Sequence, residues 1–197
     1  MKTTMIKSIG VAAVALALIL PSCKSKKGVT SIEKSTGAVE LSLPFSSKEF
    51  FSDKENFRST SSGASPDLQT AKKIALQNAK SQMASLINTT VKKVTDQYTQ
   101  QRNIDNKVEF NNKFEELARE VTNQELSDIK IIGEKAFKEQ NGAYTYWVAI
   151  EANKQDVLNG LQKGITNNAK LNQDYDKKKF EDTFNSEMDK LAKERGN

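Results

Sequence analysis

Residues 129–152, IKIIGEKAFKEQNGAYTYWVAIEA, decide the fold. Both arms of this stretch are rich in Ile, Val, Phe, Tyr and Trp, which fit a pleated, half-buried surface. Asn141-Gly142 lies between them and favours a two-residue type I′ turn, in which both central residues need φ > 0. That turn sets a register in which Gln140 faces Ala143, Phe137 faces Tyr146, Lys135 faces Val148 and Gly133 faces Ile150. One face then carries Ile129, Ile131, Phe137, Tyr144, Tyr146, Val148 and Ile150, and this is the face to cover with a helix. The other face carries Ile132, Ala136, Trp147 and Ala149 among Glu134, Lys138, Thr145 and Glu151. A lone hairpin is marginal in water, so more structure must pack on it.

Upstream, residues 57–63 (FRSTSSG) read as a third strand, and residues 39–44 (VELSLP) as a short extended edge segment. A helix start follows at Ser65-Pro66-Asp67. Ser65 serves as N-cap, Pro66 occupies the first helical position where no N–H is needed, and Asp67 complements the helix dipole. From there Leu68, Ala71, Ala75, Ala79, Met83, Leu86, Ile87, Val91, Val94 and Tyr98 recur at steps of three or four, the helical period. The early alanines allow close approach to a sheet or helix, and the later, larger residues point to different packing material. A polar break at residues 102–106 separates this helix from a second amphipathic one over 107–126, striped by Phe110, Phe114, Leu117, Ala118 and Val121. The fold class is therefore α+β: a small antiparallel three-stranded sheet packed on a long Ala-striped helix, in the order β-α-α-β-β. A long C-terminal helix follows over 154–195, with Asn153 as its N-cap and a break near 164–168.

The C-terminal residues 166–197 turn rich in Asn, Lys and Asp, and their apolar residues thin to Leu171, Tyr175, Phe180, Phe184, Met188 and Leu191. This stripe is too sparse to hold an isolated helix in water, so it docks in cis or in trans. The compositional shift favours trans: a charged helical extension dispensable for folding and used to bind a partner.

Composition narrows the chemistry. The 197 residues include no His and one Cys. That removes a His general base, Ser-His-Asp and Cys-His nucleophile pairs, His-bearing metal sites, intramolecular disulfides and C-x-x-C redox chemistry. No phosphate-binding glycine loop, calcium loop or nucleophile elbow occurs. Glu115-Glu116 are adjacent and diverge by about 100° on a helix, so they do not pair. The chain is read as a non-enzyme with no catalytic residue, no metal ligand and no cofactor. Lys72-Lys73, Lys92-Lys93 and Lys177-Lys178-Lys179 read as solvated helix faces, and a net charge of +5 does not suggest a nucleic-acid partner.

The one Cys has a telling position. Lys2 and Lys7 form a basic start, residues 9–20 are an apolar run, and Leu20-Pro21-Ser22-Cys23 follows. The run is short for a membrane span and right for a signal peptide. Its end resembles a bacterial lipobox, with Leu three residues before the Cys and a small residue just before it; Pro21 departs from the commonest pattern. The expectation is cleavage of residues 1–22 and lipidation at Cys23, a membrane anchor made effectively permanent by acyl chains such as palmitate. Residues 23–38 are then the lipidated Cys and a polar tether, whose fifteen residues after the Cys would span roughly 20–23 Å. Residues 39–165 form the α+β domain and 166–197 the extension. In the lipoprotein sorting systems that this motif resembles, Asp after the Cys retains a protein at the inner membrane. Lys24 therefore points to the cell outer membrane, and the basic Lys24-Ser25-Lys26-Lys27 to its periplasmic face. The partners expected are the membrane, through the N-terminal lipid, and an envelope protein. The alternative is a small-ligand or glycan module using Tyr144, Tyr146 and Trp147 as a possible binding surface.

The lipobox Cys is followed by a strand ending at Gly63, then Ser65 and Asp67, alanines at 71, 75 and 79, the Ile131-Ile132-Gly133-Glu134 run, and a hairpin arm closing Tyr144-Thr145-Tyr146-Trp147-Val148-Ala149-Ile150. This layout resembles the Lpp-twenty lipoprotein family over residues 55–152. The resemblance implies a strand–helix–strand–strand core and an outer-membrane lipoprotein without an established enzymatic activity, and it supplies no catalytic residues.

Overall fold

A computed structural model describes residues 41–102, 104 and 106–196, with side chains as far as Glu194. Cys23, the apolar run 9–20 and the tether lie outside the described residues. The elements are β1 (Asn56–Ser65), α1 (Leu68–Arg102), α2 (Lys107–Ser127), β2 (Lys130–Lys138), β3 (Tyr144–Asn153), α3 (Lys154–Asn167), α4 (Ala169–Gln173) and α5 (Lys177–Gly196). The fold is α+β: three antiparallel strands in the order β1-β3-β2, packed on helices. No described helix is long and apolar enough to cross a membrane.

The small residues explain how α1 meets the sheet. The face of β1 beneath the helix is Phe57, Ser59, Ser61 and Gly63, and the facing helix residues are Ala71, Ala75 and Ala79, all fully buried. Contact is closest at Gly63, where an added Cβ would lie 2.5 Å from Ala75 N and 2.6 Å from Ala71 O. The buried serines are not left bare, since Ser59 Oγ donates to Gln82 Oε1 at 3.3 Å and Gln82 Nε2 donates to Ser61 Oγ at 3.4 Å. Asp67, not Ser65, caps α1: Thr70 N and Thr70 Oγ1 both donate to Asp67 Oδ1 at 2.8 Å. The Ser65 hydroxyl instead accepts from Asp67 N, which holds the turn that leads into the helix.

At 35 residues α1 is about 52 Å long and overshoots the sheet. Its far half carries Ile87, Val91, Val94 and Tyr98 into a bundle with α2 and α5. Asn106 caps α2: its Oδ1 accepts from Glu109 N, and its Nδ2 donates to the Glu109 carboxylate at 2.9 Å, which holds the capping side chain in place. Asn153 caps α3 as the sequence predicts: its Oδ1 accepts from Gln155 N at 2.7 Å, while its Nδ2 donates to Asn56 Oδ1 at 3.4 Å. The helical tail breaks at Asn168, whose side chain caps α4 by accepting from Lys170 N and Leu171 N.

The tail docks in cis, which corrects the expectation of a dispensable extension. Phe180, Phe184 and Met188 have no exposed surface. Phe180 lies 5.6 Å from the Tyr98 ring, 5.4 Å from Phe114 and 5.9 Å from Tyr175. Polar ties fix the same contact: Tyr98 Oη donates to Asp174 O at 2.9 Å and accepts from Asp176 N at 2.7 Å, and Gln97 Nε2 donates to buried Glu187 Oε1 at 2.6 Å. The stripe was sparse because α5 presents one narrow seam to a bundle whose other walls, α1 and α2, bring the remaining apolar area.

The hairpin register also departs from the one derived from Asn141-Gly142. Glu139 N donates to Ala143 O at 2.8 Å and Gly142 N donates to Glu139 O at 2.9 Å, with Gly142 at φ +85°. The loop is three residues, Gln140-Asn141-Gly142: a tight turn closed by a glycine in the left-handed region, as in a G1 bulge. Phe137 consequently faces Thr145 and Ala136 faces Tyr146. A second irregularity, between Ile131 and Gly133, shifts the ladder again, and beyond it Ile131 faces Ile150.

Candidate interaction surface

The register divides the side chains of the sheet. Tyr144, Tyr146, Val148 and Ile150 point toward α1, while Thr145, Trp147, Ala149 and Glu151 point outward. Tyr144 and Tyr146 therefore do not share a surface with Trp147. Tyr146 is buried, with Lys72 Nζ 5.4 Å from its ring centroid. Lys72 Nζ also lies 2.8 Å from Glu134 Oε1 on β2. Hydrogen bonds from Lys72 and Tyr146 hold the Glu134 carboxyl below its ordinary range, while burial and the Glu134 charge raise the Tyr146 phenol above its own. This group clamps α1 to β2 and covers Tyr146, while Tyr144 is partly exposed with Lys138 Nζ 5.8 Å from its ring centroid.

The outward face is half covered. The chain before β1 crosses it, with Phe45 on Gly133 of β2 and Phe50 against Phe45 at 4.8 Å. A Cβ on Gly133 would come 2.6 Å from Phe45 Cε1, so a glycine is needed for the ring to lie flat. Phe45 itself adopts φ +59°, a left-handed conformation that costs a bulky residue about 1–2 kcal/mol and is offset here by ring burial. An ion network pins the segment. Arg58 Nε lies 2.7 Å from Glu151 Oε2, Arg58 Nη1 lies 2.6 Å from Asp53 Oδ2 and donates to Phe51 O at 2.9 Å, and Lys130 Nζ lies 3.0 Å from Glu151 Oε1. Burial opposes ionisation of Glu151, yet hydrogen bonds from Lys130 and Arg58 outweigh it and hold this carboxyl low.

What stays open is the other half of that face together with β2. Trp147 is half-buried beside Lys135 and Ser62, and Phe137 is 45% exposed next to Thr145. Ile131, at the other end of β2, is 40% exposed on the opposite face, across from Ile150. Among the described residues no strand pairs with the far side of β2. Apolar side chains on an unpaired edge strand are a surface for another chain. The signal for it was in the sequence: a glycine inside a strand marks a bulge, and glycine at the third loop position marks a three-residue turn. The turn alone sends Phe137 outward, and the bulge returns Ile131 to the α1 side.

The clefts lie elsewhere. The largest described, about 610 Å³, runs between α2 and α3, where Gly160 and Gly164 let α3 settle on Val121 and Leu117. Its rim mixes Glu116, Glu120 and Glu125 with Lys113 and Lys163, and none of the three hairpin aromatics lines it. The apolar stripe of the C-terminal helix, where a protein partner was expected to dock, is used internally. Among the described residues no three carboxylate, thiol or imidazole groups gather where they could hold a metal ion. Compared with known proteins, the chain matches no family model, no curated protein and no solved structure.

Proposed function

We propose that the chain is a lipoprotein anchored through Cys23 in the outer membrane, facing the periplasm, whose α+β domain is a non-enzymatic protein-interaction module. The anchor reading is supported by Leu20-Pro21-Ser22-Cys23 after a basic start and an apolar run, and by the resemblance to the Lpp-twenty family. The interaction reading is carried by one observation: among the described residues β2 is an unpaired edge strand, and its outward face exposes Phe137 beside half-open Trp147. The ligand alternative asks for Tyr144, Tyr146 and Trp147 on one platform, and their division between two faces favours a protein partner.

Two measurements test it. Cys23→Ser should abolish metabolic labelling with fatty acid and release the protein from membranes; labelling that survives the change refutes the anchor. A photo-crosslinking residue at Phe137 should give protein adducts in intact envelopes, and one at exposed Gln155 on α3 should not. Equal adducts at both positions, or none at Phe137, refute the interaction surface.

A further inference from the structure

The two edges of the sheet differ in how their main chain is finished. On β1, even-numbered residues turn their polar groups outward, and side chains stopper those of Arg58 and the carbonyl of Ser62. Arg58 N donates to Ser52 Oγ at 2.9 Å, Ser52 Oγ donates to Arg58 O at 3.3 Å, and Asn78 Nδ2 donates to Ser62 O at 3.1 Å. On β2, Glu139 N donates to Ala143 O, so alternation along the ladder aims residues 137, 135 and 133 at β3. Glu134, Ala136 and Lys138 turn their N–H and C=O groups outward, and no described side chain covers them.

The geometry points to a second copy of this chain as the occupant of that edge, paired antiparallel about Ala136. This rests on the reading of the sheet as a protein-binding surface and names the partner of its edge. A two-fold axis perpendicular to the sheet keeps each face on its own side, so only residues of like parity pair. The bulge at Ile131/Gly133 and the turn after Lys138 leave residues 133–138 as the regular arm, and two registers keep five of them paired. Centred on Lys135, the pairing sets that ammonium group against its own copy. Centred on Ala136, it sets Glu134 opposite Lys138 of the second copy, twice over, and Lys135 opposite Phe137, with the small Ala136 meeting itself. Opposite charges directly across a strand pair are favourable and like charges are not. In the Ala136 register the paired residues are those with outward main-chain groups, which makes about six new hydrogen bonds. Glu134 is still free to take the added lysine, because a carboxylate accepts up to about four hydrogen bonds and Lys72, at 2.8 Å, and Tyr146 supply two. Lysines that shield an edge strand from indiscriminate pairing thus select one register.

The test uses the full chain, purified in detergent, with Cys23→Ser so that an introduced thiol stands alone. Single cysteines replace Glu134, Lys135 or Ala136 in turn, and mild oxidation is read on a non-reducing gel. A hydrogen-bonded antiparallel pair sets Cα atoms about 5.5 Å apart, within disulfide reach. Ala136→Cys should give a cross-linked dimer, and Glu134→Cys and Lys135→Cys should not. Adding Lys138→Glu to Ala136→Cys should weaken self-pairing by about tenfold. Mixing that chain with one carrying Glu134→Lys and Ala136→Cys should restore cross-linking, because each clash becomes an opposite-charge pair. Cross-linking at position 135 or 134 in place of 136, cross-linking at none, or yield unchanged by Lys138→Glu overturns the proposal. If all three chains stay monomeric while Phe137 still photo-crosslinks to a different envelope protein, the second copy is excluded as the occupant and the interaction surface stands. If both fail, both readings fall.

Discussion

Replacing Phe180 by Ala asks whether the charged tail is part of the core. Phe180 on α5 has no exposed surface and touches three rings, Tyr98, Phe114 and Tyr175, with centroids 5.4–5.9 Å away. Burying a phenyl side chain stabilises a fold by about 1.5–3 kcal/mol. Its removal also leaves a cavity, because those rings are held by α1 and α2 and by the Tyr98 bonds to residues 174 and 176. Phe→Ala at such sites costs about 3–5 kcal/mol. For a chain of this size each kcal/mol lowers the melting temperature by about 2–4 °C, so the expected fall is roughly 6–20 °C. Thermal unfolding followed by far-ultraviolet circular dichroism reads it, with exposed Lys178→Ala as the control that stays within about 0.5 kcal/mol. Truncation after Ile165 is harsher. It removes Leu171, Phe180, Phe184 and Met188, together about 6–12 kcal/mol, comparable with the whole stability of an ordinary domain. That chain should not fold. A Phe180→Ala protein that melts within about 2 °C of the parent would refute docking in cis and return the tail to a partner-binding role.

Gly63→Ala places a methyl 2.5 Å from Ala75 N and 2.6 Å from Ala71 O, so α1 must lift; a loss of about 1–3 kcal/mol in the denaturation midpoint is expected, and no change would mean the helix sits further from β1. Gly142→Val forces a β-branched residue to φ +85° and should cost on the order of 1–3 kcal/mol, although open space surrounds the site; equal stability would put the loop elsewhere. Glu151 and Asp53 both have folded-state pKa values below their ordinary ones, because hydrogen bonds outweigh burial. A depressed carboxylate pKa stabilises fully above the unfolded value, near 4.5 for Glu151, and that contribution is lost as pH falls through the folded value. Glu151→Gln should therefore lose less urea stability than the parent between neutral pH and pH below about 4, and an identical loss would exclude this carboxylate as a source of acid sensitivity.

Much of the fold was legible because it rests on local chemistry. The alanine steps of α1, the Asn153 cap and the outward position of Trp147 follow from periodicity and capping alone. Docking of the tail was not legible, because burial of Phe180 depends on where α1 and α2 stand in space, and residue spacing within α5 carries no information on that. Ser-Pro-Asp offers two acceptors, and residue identity alone does not choose Asp67 over Ser65 as the cap.

The hairpin shows how a small misreading moves a functional surface. Asn-Gly alone predicts a two-residue turn, whereas Gly142 closes a loop that begins at Gln140. One extra loop residue slips β2 by one, and a slip of one exchanges the faces of a strand. Phe137, expected under the helix, is therefore outside, and Ala136 and Glu134 face the same side as Tyr146 and Val148. The irregularity between Ile131 and Gly133 adds a second slip, and two slips restore parity. Ile131 thus lies opposite Ile150, on the side the alternation of β3 demanded. The two departures from an ideal hairpin bracket residues 133–138, the arm whose main chain is bare and whose charges are self-complementary. Local rules fail in natural proteins mostly where function has a claim on the backbone. Here both failures enclose the strand that, among the described residues, is left free to pair.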